Sequence, residues 1–232
     1  MRPKTLQFKV GLYLTIALTV AMLAFTALVV WHQRQELLAN VAERVTQLSE
    51  VITKSTRYAM LQNQPDYVEK IIHDVGNQEG IAKVRIVTKD GRITHSTNPA
   101  EIGLTLDRKA EACSHCHQSE RPLEQVPRSE RTWTFTTPEG KRMLGSMEVI
   151  RNERSCYTAA CHQHSKATSV LGVLDIVYSL DEIEHSMQMN AITVGIFSLG
   201  FIVVASLVVS FFVHGMVQVP LNDLENGARR LA

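Results

Sequence analysis

The chain has 232 residues, with 24 Lys and Arg set against 23 Asp and Glu for a formal net charge of +1. That balance leaves no electrostatic footprint for nucleic acid or for any strongly charged partner. The apolar fraction is 45%, but it is gathered into two long runs instead of being spread along the chain.

The first run, Val10 to Trp31, holds no charged residue, and the second extends from Ser186 to Val213. Each is long enough for a hydrocarbon core of about 30 Å, which takes about 20 helical residues. Arg2, Lys4 and Lys9 precede the first run. It exceeds the apolar region of a cleaved signal, typically about 7–15 residues, so it reads as an uncleaved signal anchor. The basic flank keeps the N-terminus in the cytoplasm, and Arg229 and Arg230 agree with a cytoplasmic C-terminus. The expected order is therefore a cytoplasmic N-terminus (1–9), a first transmembrane helix (10–31), an extracytoplasmic domain (32–190), a second transmembrane helix (191–214) and a cytoplasmic segment (215–232). The compartment is the inner, cytoplasmic membrane, with residues 32–190 in the periplasm or outside.

Beyond the first span, Leu38, Val41, Val45, Leu48, Ile52, Ser55 and Ala59 recur at steps of three and four. This heptad seam predicts a helix from about Gln33 to Gln62, roughly 45 Å long. Its partner is either the same helix of a second subunit, which makes a parallel homodimer, or the sheet of its own domain. Pro65 to Gln78 reads as a second helix with Tyr67, Val68, Ile71, Ile72 and Val75 on one face. From Ile81 to Ser96 the period changes to two, and Asp90-Gly91 supplies a hairpin turn. Leu104 to Arg131 is polar and loop-like. Arg131 to Thr137 alternates as a strand, with Trp133 and Phe135 on one side. Pro138-Glu139-Gly140 turns the chain, and Met143 to Ile150 returns. Val170 to Tyr178 is the last strand, and the acidic start at Asp181 opens a helix that feeds the second span.

All four cysteines lie in the polar connections. Cys113-Ser114-His115-Cys116-His117 is a Cys-x-x-Cys-His sequence, the c-type haem attachment pattern. Cys156 and Cys161, four residues apart, are likewise closed by His162. Two thiols can add across the two haem vinyl groups, and the following histidine supplies an imidazole to iron. Two haem c groups are expected: one on Cys113, Cys116 and His117, the other on Cys156, Cys161 and His162. A four-thiolate zinc site fits the cysteine spacing, as do two disulfides or redox dithiols. Each of these leaves His117 and His162 without a role at the same relative position. Sixth iron ligands are sought among the outside methionines and histidines, with Met60 and His95 singled out. An open sixth position permits binding of a small gas, whereas a methionine or histidine there favours redox work. Arg121, Arg128 and Arg131 are candidates for haem propionates, although exposed loop arginines are the plainer reading.

The hairpin region, Ile81 to Ser96 continuing through Glu101-Ile102-Gly103, resembles the centre of extracytoplasmic PAS-like (Cache) sensor domains. That resemblance covers about residues 33–190. It implies a long N-terminal helix against a central antiparallel sheet, here with cysteine-bearing loops added to the family's plan. Val219-Pro220-Leu221 to Ala232, with Leu221, Leu224, Ala228 and Leu231 on one face, resembles the first helix of a HAMP linker. The chain is then expected to be a fragment or to be completed by a partner. The whole resembles haem-c-containing receptors joined to histidine kinases, chemotaxis-type transducers or cyclases.

The fold expected is α+β: two transmembrane helices flanking a Cache-like domain whose antiparallel sheet carries haem loops. The function implied is a receptor that senses redox state, through a redox partner, or a small gaseous ligand. It would signal through HAMP to a cytoplasmic output domain or partner kinase. The competing reading is a membrane-anchored dihaem cytochrome for quinol-linked electron transfer. No nucleophile constellation, phosphate-cradling loop or catalytic carboxylate pair is present to suggest turnover chemistry within this chain.

Overall fold

Helix α1 (Pro3–Leu61) is unbroken, because from Leu12 to Leu61 there is no glycine or proline to interrupt it. It ends where Asn63 takes φ 55° and the Gln64 N–H donates back to the Ala59 carbonyl at 3.0 Å, a left-handed stop. Pro65 then occupies the first position of α2 (Pro65–Gly76), where its missing N–H costs nothing. The structure, a computed structural model, describes residues 3–106, 127, 130–158 and 164–213. It separates into a domain, Leu37–His185, and a second unit made of the chain before and after it.

Within the domain, β1 (Ile81–Thr88) and β2 (Ile93–Ser96) form the expected hairpin, with Gly91 at φ 85°. Strands β3 (Thr132–Thr136) and β4 (Arg142–Arg151) form the second, with Gly140 at φ 84°. Between β4 and β5 (Val170–Ser179) lies a one-turn helix, α3 (Arg154–Tyr157). The last helix, α4 (Asp181–Val213), carries Asp181, Glu182 and Glu184 in its first turn, where they complement the positive helix end. The five strands make one sheet of order β2-β1-β5-β4-β3, antiparallel at every pairing.

One face of the sheet is the core. Val84, Ile86, Leu144, Ile150, Leu174 and Ile176 meet Val45, Ile52 and Ala59 of α1 and Val68, Ile72 and Val75 of α2. Each Val, Leu or Ile side chain among them, fully buried, contributes about 1.5–3 kcal/mol. The α1 stripe thus faces its own sheet, and it is displaced around the helix from the predicted seam. Ser55 is exposed, Leu38, Val41 and Leu48 are half-buried, and Ser49 and Thr56 are buried between Val45, Ile52 and Ala59. The hydroxyls tolerate burial because each bonds within its own helix: Ser49 donates to Val45 at 2.9 Å and Thr56 to Ile52 at 2.8 Å. Ser49 also lies 3.2 Å from Ser146 of β4, tying helix to sheet.

The start of α4 is fastened to the start of β4. The Leu180 N–H donates to the Arg142 carbonyl at 3.1 Å, and the Arg142 guanidinium donates to Glu184 at 2.5 Å. Leu180 itself is fully buried.

In the second unit, two helices are long and apolar enough to cross a membrane. Phe197 and Phe211 are about three-quarters exposed, surfaces suited to lipid. The polar Thr26 and Ser198 side chains turn to each other at 2.8 Å.

Candidate functional site

Of the six residues expected to attach or ligate haem, only Cys156 lies among the described residues. Cys113, Cys116 and His117 fall in 107–126, and Cys161 and His162 in 159–163, both outside them, as does the HAMP-like segment. Cys156 sits in α3, just past the end of β4, 6% exposed and with a free thiol. Its N–H donates to the Glu153 carbonyl at 2.9 Å. Glu153 in turn accepts from Arg57 of α1 at 2.5 Å, so the helix holding Cys156 is tethered to α1. The chemistry of the donor set fits haem: two thiols and an imidazole in each motif. Cys156 lies beyond the sheet ladder, where a bound planar group does not compete with strand pairing.

The chain directions place several described residues at one end of the sheet. Arg151 pairs with Val170 there, and Thr88 pairs with Gly172. The Asp90-Gly91 turn follows Thr88, and Leu106 lies beside it, its N–H donating to the Gly91 carbonyl at 2.8 Å. β3 is entered from the same direction, since the Arg131 carbonyl accepts from Met147 at 2.9 Å and Thr132 pairs with Ser146. The opposite end carries Ser179, paired with Met143, and the start of α4.

Met60 and His95 lie toward the helix-packed side. Met60 is half-buried against the core. His95 pairs across β1 with Ile86, and its Nδ1 is 3.2 Å from the Thr94 hydroxyl. Burial pushes the His95 imidazole below its ordinary pKa, with Glu69 pulling weakly the other way. Arg131 is not an exposed loop arginine. It holds Glu148 at 2.6 Å and lies 3.9 Å from Glu50.

The far face of the sheet holds a charged cluster that pattern reading missed. Arg85 of β1 donates to Asp175 Oδ2 of β5 through Nε at 2.9 Å and Nη2 at 2.5 Å. Lys83 donates to Glu101 at 2.6 Å, and Glu101 lies 3.8 Å from Arg85. The Asp175 side chain is 2% exposed, and its Oδ1 has no hydrogen-bond partner. Burial pushes the Asp175 carboxyl above the usual carboxylate range, although Arg85 pulls it back. The Glu101 carboxyl is held low, because Lys83, Arg85 and Ser96 together outweigh its burial. One signal was available: Asp175 is the lone charge in the apolar run Val170 to Tyr178. Among the described residues no group of three or more His, Cys, Asp or Glu is placed to hold a metal ion.

No protein-family model matches the chain, and no curated protein matches it. Chains of known structure do match. One is the sensor domain of the V. cholerae histidine kinase DctB, 15% identical with a TM-score of 0.43, over 70% of this chain and 60% of that one. Another is an extracellular ligand binding receptor from Desulfohalobium retbaense DSM5692, 13% identical with a TM-score of 0.32, over 63% of this chain and 25% of that one. The chain therefore spans less than two thirds of either protein.

Proposed function

We propose that the chain is the sensory half of a transmembrane receptor, with a PAS-like (Cache) domain outside the inner membrane carrying two covalent haem c groups. The observation that carries this reading is the sequence Cys113 to His117, lying between two helices of membrane length. Bound haem supplies a one-electron couple and an iron whose sixth position is open or filled. Cys113 with Cys116, and Cys156 with Cys161, would form the thioethers. His117 and His162 would each donate an imidazole nitrogen to iron. The signal is then a redox change or a small gas, provided that it favours one conformer of the domain over another. The domain passes its strain to α4 through the Arg142–Glu184 and Leu180–Arg142 contacts. From there the signal leaves through the HAMP-like segment to a cytoplasmic output such as a kinase.

The receptor works as a parallel homodimer. The α1 seam is taken by the domain's own sheet, so the second copy meets the opposite side of the helix. Leu37, Arg44, Val51 and Tyr58 recur there every seven residues, and Val51 and Tyr58 are 59% and 65% exposed.

The test is production of the chain with a haem-attachment apparatus, followed by intact mass and absorption spectra, oxidised and reduced, with and without carbon monoxide. Two haem mass increments are expected, and absence of covalent haem overturns the proposal. Hydrogen exchange at Asp181–Glu184 then separates receptor from electron relay. Exchange should differ between oxidised and reduced protein; identical exchange with both haems bound leaves only the relay.

A further inference from the structure

Where α1 packs on β4, two carboxylates from different elements contend for one guanidinium. Leu144, Ser146, Glu148 and Ile150 alternate along β4 on the face that meets α1, since Leu144 and Ile150 belong to the core and Ser146 touches Ser49. Glu148 is the one charged member of that row. The Arg131 carbonyl, at the entry to β3, accepts from the Met147 N–H at 2.9 Å, so any change of partner falls to the Arg131 side chain. Its Nη1 donates to Glu148 at 2.6 Å and lies 3.9 Å from Glu50 of α1. The Arg131, Glu148 and Glu50 side chains are 18%, 15% and 24% exposed. Burial, helped by the nearby Glu50 charge, pushes the Glu148 carboxyl above the usual range, against the pull of Arg131 and of Arg151 on its own strand. β5 sets the uncharged Leu174 opposite it. A hydroxyl is also at hand on α1. Thr53 lies one helical turn beyond Ser49, about 6 Å, and Glu148 lies two strand residues beyond Ser146, about 7 Å. The two elements run the same way, with Arg57 meeting Glu153 further on. Thr53 is 5% exposed, and its hydroxyl has no hydrogen-bond partner.

We infer that Glu148 is a proton-operated selector that decides whether Arg131 holds the sheet or α1. Ionised, Glu148 keeps Arg131 on β4. When its carboxylate takes a proton from solvent, the new O–H donates to the Thr53 hydroxyl and Arg131 closes on Glu50. The 3.9 Å approach becomes a charge-assisted bond of about 2.8 Å. Acid thus adds two bonds between the sheet and α1, a helix unbroken from Pro3 to Leu61. The sign follows from a proton held more tightly in the fold than in the unfolded chain. The stabilisation is whole below the unfolded pKa and is lost as pH rises through the folded one. The selector needs no haem; only its use as a signal of external pH rests on the receptor reading above.

The experiment measures the unfolding constant of the full chain in detergent at pH 5 and pH 8. With Glu148 in place, Glu50→Gln should cost about threefold more in that constant at pH 5 than at pH 8. In Glu148→Gln, whose amide stands for the protonated acid, the cost of Glu50→Gln should be the same at both pH values. Thr53→Val should lower the pH at which the change occurs. Should the variants fold poorly, hydrogen exchange of the natural chain gives a second measurement. Exchange in α1 around Glu50, corrected for the intrinsic rate, should be slower at pH 5 than at pH 8. A Glu50→Gln cost equal at both pH values with Glu148 in place, or one that still varies with pH in Glu148→Gln, overturns the selector. Exchange indifferent to pH overturns it as well, and a transition unmoved by Thr53→Val removes Thr53 as the acceptor. Each of these results leaves the haem and receptor reading to its own test by intact mass and spectra.

Discussion

Replacing Arg85 by methionine isolates the buried carboxylate of Asp175. In the native domain Asp175 Oδ2 accepts two hydrogen bonds from one guanidinium, and its side chain is 2% exposed. Without Arg85 the group either remains a buried unpaired charge, at about 3–5 kcal/mol, or takes up a proton. At pH 7 protonating a carboxylate of ordinary pKa about 3.9 costs about 4 kcal/mol, at 1.36 kcal/mol per pH unit. Protonation therefore caps the loss, and Arg85→Met should destabilise the domain by about 3–4 kcal/mol at pH 7. The sign with pH follows from the folded pKa rising above the unfolded one. The cost is fully present above the folded pKa and vanishes below the unfolded value, so the loss should shrink to about 1.5 kcal/mol at pH 5. Arg85→Met/Asp175→Asn should recover most of it. The measurement is the denaturant midpoint of the full chain in detergent at pH 5, 6 and 7. A loss under about 1 kcal/mol at pH 7, or one equal at all three pH values, would refute the reasoning.

Leu174→Ala, at a side chain with no exposed surface, should cost about 2–5 kcal/mol by the same denaturation measurement; a loss under 1 kcal/mol would place the core elsewhere. His95 resists protonation in the fold because of its burial. Its contribution is therefore whole above the unfolded pKa of about 6.5 and is lost as pH falls below it. His95→Gln should flatten that acid-side decline in thermal midpoints, and an unchanged slope would remove His95 as its source. Thr26→Val deletes the 2.8 Å bond to Ser198 between the two apolar helices. It should weaken their association by about 0.6 kcal/mol in an unfolding assay in mixed micelles, whereas an effect of several kcal/mol would mean that the hydroxyl has further partners.

The elements that could be read from the sequence are those fixed by local chemistry. Asp90-Gly91 and Pro138-Glu139-Gly140 close their hairpins at positive φ, and the acidic start at Asp181 opens a helix. What escaped is what depends on partners far along the chain. Counting apolar residues could not assign Ser49 and Thr56 to the buried stripe of α1, since their burial relies on hydroxyls bonded to their own helix and, for Ser49, on Ser146. Lys83 and Arg85 alternate with Val84 and Ile86 and so look solvated. Only the pairing of Arg85 with Asp175, 90 residues away, shows that this face is partly closed. The Cys-x-x-Cys-His pattern stands out in the sequence because covalent haem attachment would need a fixed local spacing. A sixth iron ligand would carry no such spacing, so Met60 and His95 rest on residue type alone.

Strand β4 runs from the start of the last helix, which it meets through non-covalent contacts, to the chain just before Cys156. Cys156 follows one end of it by five residues, and at the other end Arg142 grips Leu180 and Glu184. Ten residues of extended chain span about 33 Å; β5 pairs along nearly all of this length, and β3 along the half from Arg142 to Ser146. A load applied to β4 along its axis would reach the first turn of α4 through Arg142, whereas a displacement at Glu153 would first meet the irregular pairing between Ile150 and Arg151.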